Sequence, residues 1–271
     1  MNDNIVYIES FNAYESRYPN RKIVTREVLN LIKTLREAGH TVIVKPEDDR
    51  PIEYLFKKGE ISFLTDPANQ VIISFVTSMA GTLITNWIQK LIDKNSNKEK
   101  ANNSIIVIDN STKIIKNSFN KTLSRSELAD AKTKRKKVSK EYEESINAEP
   151  PYANLPWPIL LNHKPPIIGW CRLAESNKGL EIEDGYIKKK YHAKIEKGNY
   201  KGVSITGIAA ESKCSICKKD YVDCNHISGK KYDGVMCTHE LVRNDIIEVS
   251  VVKEPINKGT FIRFLKDSSH S

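Results

Sequence analysis

No apolar run in this 271-residue chain is clean enough to cross a bilayer. The longest, Val71 to Ile92, is interrupted by Ser74, Thr77, Ser78, Thr82, Asn86 and Gln89, whereas a lipid span needs about 20 mostly apolar residues. It reads instead as a buried helix, and no stable membrane span is expected. No secretory leader is expected either. Met1 to Glu9 carries two acidic residues and no basic segment, so a cytoplasmic protein is expected. No repeat with a period of about 20–50 residues is apparent, which argues against solenoid and propeller arrays. Cysteine is scarce, five in all, yet four of them fall between 214 and 237. In a chain without an export signal, that clustering favours metal ligation over disulfides.

What is there suffices for a packed core. Hydrophobic residues make up 39% of the chain, enough for one large or two ordinary domains. The formal net charge of +9 suits nucleic acid, an acidic partner or a membrane surface, but abundant surface lysine is the preferred reading, since net charge speaks to solubility before function. The N-terminal third alternates strands and helices. Ile5 to Ile8 and Thr41 to Val44 read as strands. Between them Thr25 caps a helix whose apolar residues Val28, Leu31, Ile32 and Leu35 recur at helical spacing, and Gly39 ends it. Strand, helix, strand at this spacing suggests a parallel pair. Asp66-Pro67 provides a cap followed by a first-turn proline, which would open the long apolar helix toward Asp93. Ile105 to Ile108 reads as a further strand.

Ser124 to Ile146 is charged and helix-favouring, with a basic block at Lys132, Lys134, Arg135, Lys136 and Lys137. It reads as a solvated helix or linker, because no aromatic residues interleave to stack on bases. The proline-rich segment from Glu149 to Pro158 blocks helix and marks a boundary. Beyond it the pattern changes to short strands: Ile159–Leu161, Ile167–Leu173, Leu180–Ile182, Tyr186–Ile195, Gly202–Ala209, Ile246–Val252 and Phe261–Leu265. The expected fold is α+β. An α/β and helical recruitment domain would cover 1–120 and a charged helix and proline-rich linker 121–157. A β-rich domain would cover 158–271, with a Cys/His insert at 212–239.

That insert holds Cys214, Cys217, Cys224, His226, Cys237 and His239. A C-x-x-C turn presents two thiolates on one side, and a second pair completes a tetrahedron around zinc. The preferred ligands are Cys214, Cys217, Cys224 and His226, with Cys237 able to replace either of the last two. Four protein ligands would leave no open position, so the metal would be structural.

Three strand-like segments carry a histidine, a serine and a carboxylate: His163 after Leu160-Leu161-Asn162, Ser204 in Gly202 to Gly207, and Glu248 in Ile246 to Val252. These are the parts of a nucleophilic hydrolase, in which a base takes the serine proton and a third group fixes the imidazole. Glu248 points to the face opposite Ile247 and Val249. No G-x-S-x-G elbow is present, which disfavours an α/β-hydrolase.

Taken in order, these segments resemble the prohead maturation proteases of tailed bacteriophages. The resemblance covers residues from about 155 to 265. It rests on Leu161-Asn162-His163 with Ile167-Ile168-Gly169, on Gly179-Leu180-Glu181-Ile182 with Gly185-Tyr186-Ile187, and on Gly202-Val203-Ser204-Ile205. The last match is Ile247-Glu248-Val249-Ser250-Val251-Val252 with Glu254-Pro255-Ile256-Asn257. The resemblance implies a serine endopeptidase with an assemblin-like β-barrel, His163 as general base and Ser204 as nucleophile. Glu248 would be the orienting third member, replaced by His226 or His239 if that group is an imidazole. Lys164 stands where the family commonly has aspartate, and Thr206-Gly207 where it has glycine-phenylalanine.

The expected partner is a protein, cleaved either in phage head maturation or in a bacterial anti-phage or regulatory system. Self-association is left open. The alternative is a catalytically inactive zinc-knuckle module that contacts protein or nucleic acid.

Overall fold

The computed structural model describes residues 4–10, 12, 14–15, 17–57, 71–75, 78–93, 105–109, 114–117, 122–146, 148–176, 179–198 and 200–253. The chain is α+β and divides into two compact units. One comprises Met1–Phe56, Ser62–Glu144 and Ile208–Asp245; the other comprises Lys57–Ile61, Ser145–Gly207 and Ile246–Ser271. Residues 208–245, with the cysteine cluster, therefore group with the N-terminal chain. Among the described residues no sheet closes into a barrel. No helix among them is long and apolar enough to cross a membrane.

In the first unit, β1 (Ile5–Glu9) lies between β3 (Thr41–Lys45), to which it is parallel, and β5 (Val71–Phe75), to which it is antiparallel. The sheet continues through β6 (Ile105–Asp109), β7 (Ile114–Asn117) and β8 (Thr122–Leu123). Helix α1 (Arg26–Glu37) follows β2 (Lys22–Thr25) directly. Its cap is as the sequence requires: the Thr25 side chain accepts the Val28 N–H, and Gly39 leaves the helix at φ 86°. Strand β2 runs parallel to β4 (Ile52–Lys57), which neighbours β12 (Gly202–Cys214).

Val71 to Ile92 is not one helix. It is β5 followed by α2 (Ser78–Asp93). Ile72 and Ile73 are buried. A continuous apolar run is normal for a strand between two neighbours, and periodicity alone does not separate it from a buried helix. Asp66-Pro67 lies outside the described residues.

Helix α3 (Arg125–Ile146) opens on a reciprocal cap: Ser124 Oγ accepts from the Glu127 N–H, and the Glu127 carboxylate accepts from the Ser124 N–H. Its first turns are not merely solvated. Leu128 and Ala131 pack on Ile72, Ile108 and Leu123, and Lys132 pairs with Glu9 at 2.9 Å.

The second unit contains β9 (Trp157–Leu161), β10 (Lys164–Ser176) and β11 (Gly179–Ile187), an antiparallel series. Next to β9, in parallel, runs the later part of β15 (His239–Val252), followed by the earlier part of β12. One face of these strands, including Ile159, Val249, Val251, Val203 and Ile205, packs with Ile168, Cys171 and Ile195. Tyr186 to Ile195 is a strand only to Ile187. A 3-10 turn (Lys189–Tyr191) and α4 (His192–Lys197) follow. Tyr191 and Ile195, four apart, meet the same core, a helical spacing rather than an alternating one. Phe261 to Leu265 and Glu254 to Asn257 lie outside the described residues.

Candidate active site and metal centre

His163 sits at a two-residue hairpin. Leu161 pairs with Lys164, and the residues between them have positive φ, 51° at Asn162 and 55° at His163. That is the type I′ arrangement, which matches the right-handed twist of the flanking strands. Asn and His are among the side chains that best tolerate it. The Asn162 N–H continues the β9–β15 ladder by donating to the Val251 carbonyl at 2.9 Å. The turn thus holds the imidazole beside β15.

Glu248 is on that strand. Its Oε1 lies 2.5 Å from His163 Nδ1, and both side chains are almost fully buried. Ser250, two residues on and hence on the same face, donates from Oγ to Glu248 Oε2 at 2.8 Å and accepts the His163 N–H at 2.9 Å. Thr206 Oγ1, from β12, lies 3.0 Å from His163 Nδ1 and hydrogen-bonds Glu248. Burial alone would raise the Glu248 pKa. The imidazole and the three hydrogen bonds from His163, Thr206 and Ser250 prevail and hold it below the ordinary carboxylate value. An ionised Glu248 accepting the Nδ1 proton places the basic lone pair of His163 on Nε2.

Ser204 shares a face with Thr206, one pleat repeat away, about 6.6 Å along the strand at the usual rise. It is buried, and Oγ has no hydrogen-bond partner among the described residues. Of the expected trio, then, the structure joins His163 to Glu248 and leaves the Ser204 hydroxyl unbonded on the same strand face as Thr206. Thr206 and Ser250 were not singled out from sequence as members of this site. Their signal was the period-two pairing of hydroxyls and carboxylate, Ser204 with Thr206 and Glu248 with Ser250, within the otherwise apolar stretches 202–209 and 246–252.

The cysteine cluster is built on turns. After the Cys214–Cys217 pair, Lys218 adopts φ 62° and its N–H returns to the Cys214 carbonyl at 3.0 Å. Asp233 and Gly234, both at positive φ, join β13 (Lys231–Tyr232) to β14 (Val235–Met236) in a two-residue hairpin. Cys214, Cys217, Cys224 and His226 come together here: their ligand atoms all lie within 4.8 Å of one another and could hold a metal ion. Cys214 Sγ is 3.6 Å from His226 Nδ1 and 3.8 Å from Cys237 Sγ, so Cys237 adjoins the group. His239 is not among these four; it stacks on Tyr221, with ring centroids 4.4 Å apart, and burial lowers its pKa to about 4. Burial would raise the Cys214 thiol, but the N–H groups of Cys217 and Ile216 and the neighbouring thiols bring it down to about 6. Burial carries Cys224 up to about 11, with Lys33 opposing.

Lys33, not singled out from sequence as a site residue, reaches this cluster from α1. It is fully buried. Its ammonium donates to the His226 carbonyl at 2.7 Å, lies 3.4 Å from Cys224 Sγ, and sits 3.3 Å from the Tyr221 ring centre.

No family model, curated protein or solved structure significantly matches this chain. The site's geometry therefore carries the functional argument.

Proposed function

We propose that this protein is a serine endopeptidase resembling the phage prohead maturation proteases, with an assemblin-like catalytic unit and a structural zinc ion. The observation that supports it most is the buried contact of Glu248 with His163 Nδ1. A carboxylate on that nitrogen fixes the tautomer and stabilises the imidazolium that forms when Nε2 takes a proton. Ser204 is the proposed nucleophile. It attacks the peptide carbonyl while His163 accepts its proton, then returns that proton to the leaving amine; water releases the acyl-enzyme. Ser204 and His163 are 4% and 2% exposed, so on this reading the arrangement is a resting one that must open to admit substrate. Catalytic hydrogen bonds often tighten only when substrate is bound. Zinc is proposed in the Cys214, Cys217, Cys224 and His226 set because three thiolates and an imidazole suit it and close its coordination.

The decisive experiment pairs cleavage of casein with fluorophosphonate labelling read by intact mass. Wild type is expected to cleave and to gain one adduct on Ser204. Ser204→Ala is expected to lose both while remaining folded, a fall of about 10⁴-fold or more in turnover. Undiminished cleavage by folded Ser204→Ala protein would overturn the assignment.

One observation favours the alternative of an inactive binding module: the unbonded Ser204 hydroxyl in a closed site. On that reading the His163–Glu248 pair is a structural anchor, and the knuckle contacts protein or nucleic acid. Nucleic-acid affinity that drops steeply with added salt, with no turnover, would support it. Neighbouring portal and capsid genes, or neighbouring defence genes, would separate head maturation from an anti-phage role.

A further inference from the structure

Helix α1 presents a lysine where its apolar face is buried. Leu29, Leu31, Ile32 and Leu35 surround Lys33 in sequence and are buried with it. A buried ammonium is costly unless an anion or several acceptors meet it. Here the acceptors all come from the cysteine cluster or its neighbours: the His226 carbonyl, Cys224 Sγ and the face of Tyr221. Arg36, one turn on, adds a bond to the Val222 carbonyl at 3.0 Å. The same helix face therefore grips the 222–226 segment twice.

We propose that Lys33 is the counter-cation of the metal–thiolate centre, and that this centre fastens α1 to the knuckle. This rests on the metal reading above. Three thiolates and one neutral imidazole around a dication leave one net negative charge in a buried site. One ammonium, hydrogen-bonded to a ligand sulfur, cancels it. A partner of this kind orients its ligand and tunes the metal, as outer-shell groups do.

The test uses the full chain as wild type, Lys33→Met and Lys33→Arg. Zinc affinity is read by competition with a chromophoric chelator, and thermal stability is read with and without EDTA. Wild type is expected to hold zinc and to melt lower in EDTA. Lys33→Met is expected to bind zinc about 10–100-fold more weakly, with Lys33→Arg recovering part of that loss. The loss of stability caused by Lys33→Met should be larger with zinc bound than in EDTA, where no thiolate–metal anion remains and only the bond to the His226 carbonyl is lost. A lysine that merely held that carbonyl would cost the same with and without zinc, and an equal loss in the two conditions overturns the proposal. So does zinc affinity unchanged by Lys33→Met.

Should Lys33→Met fail to fold, hydrogen exchange on wild type decides. Chelation is expected to lower amide protection in residues 26–37, and unchanged protection there overturns the proposal. Wild-type protein that binds no zinc removes the metal reading itself, and the Lys33 role with it.

Discussion

Replacing Glu248 by glutamine keeps the shape of the side chain and removes its charge, and the consequences follow from the bonds it makes. Glu248 accepts from His163 Nδ1 at Oε1 and from Ser250 Oγ at Oε2. If the new amide nitrogen takes the Oε2 position, Ser250 can no longer donate to it, because that nitrogen is itself a donor. If it takes the Oε1 position, it meets the Nδ1 proton, and the imidazole must move its proton to Nε2. Either way a charge-assisted buried bond gives way to a neutral one with its donor and acceptor reversed, at about 1–3 kcal/mol. Glu248→Ala, which leaves the histidine without its carboxylate, should cost about 3–5 kcal/mol. The pH dependence has a definite sign. The Glu248 pKa is lower in the folded protein than its ordinary value of 4.5. Its contribution is therefore complete above that value and is lost as pH falls from there through the folded pKa. Urea unfolding between neutral pH and the acid limb should show wild type losing this contribution in that window and Glu248→Gln losing less. Imidazole nitrogen shifts of His163 provide the second assay, with Nδ1–H expected in neutral wild type. An Nε2–H tautomer in wild type, or equal stability of Glu248→Gln at neutral pH, would refute the reasoning.

The remaining expectations are local. Ser204→Ala removes a buried hydroxyl that has no hydrogen-bond partner among the described residues. It should leave stability unchanged or raise it by about 1 kcal/mol, measured by urea unfolding; a large loss would mean that the hydroxyl is bonded. Gly169→Ala places a Cβ 2.0 Å from the Tyr186 carbonyl oxygen and 3.0 Å from the Ile187 Cα. Because the obstacle is backbone on the paired strand, β10 and β11 must separate there, at a cost of about 3 kcal/mol or more; a melting temperature equal to wild type would contradict it. Cys224→Ser should abolish stoichiometric metal in the purified protein, read by elemental analysis, whereas a variant that retains full metal would shift the ligand set toward Cys237.

Legibility varied with how local the determining physics is. The cap at Thr25, the stop at Gly39 and the C-x-x-C turn depend on a few adjacent residues, and the structure has them where the sequence put them. The turn at Asn162-His163 was local too, but an Asn-Gly signal would have been plainer than Asn-His. Val71 to Phe75 failed because its strand character comes from neighbours β1 and β6, remote in sequence. Lys33 was illegible for the same reason. On a helix wheel it is one lysine beside an apolar stripe, and only the approach of residues 222–226, almost two hundred positions away, makes it a ligand-shell residue. The hydroxyls of Thr206 and Ser250 were visible as a polar face. Their common target was not, because strand order decides that β15 lies between β9 and β12.

That order also bears on what the His163–Glu248 cluster is for. It places two positive-φ residues in a tight turn, at roughly 1–2 kcal/mol each for side chains other than glycine. It then buries an ionisable pair. Apolar residues of similar volume usually stabilise a core as well as or better than a buried ion pair. A face that also carries Leu160, buried and paired with Ser250, could have been filled that way. Instead two adjacent strands, β12 and β15, converge two hydroxyls and a carboxylate on His163, at Nδ1 and at the backbone N–H. This arrangement over-determines the ring's orientation and tautomer while adding nothing that simple packing needs. A base requires such control and a structural histidine does not, so the cost of the cluster itself favours the catalytic reading over the anchor.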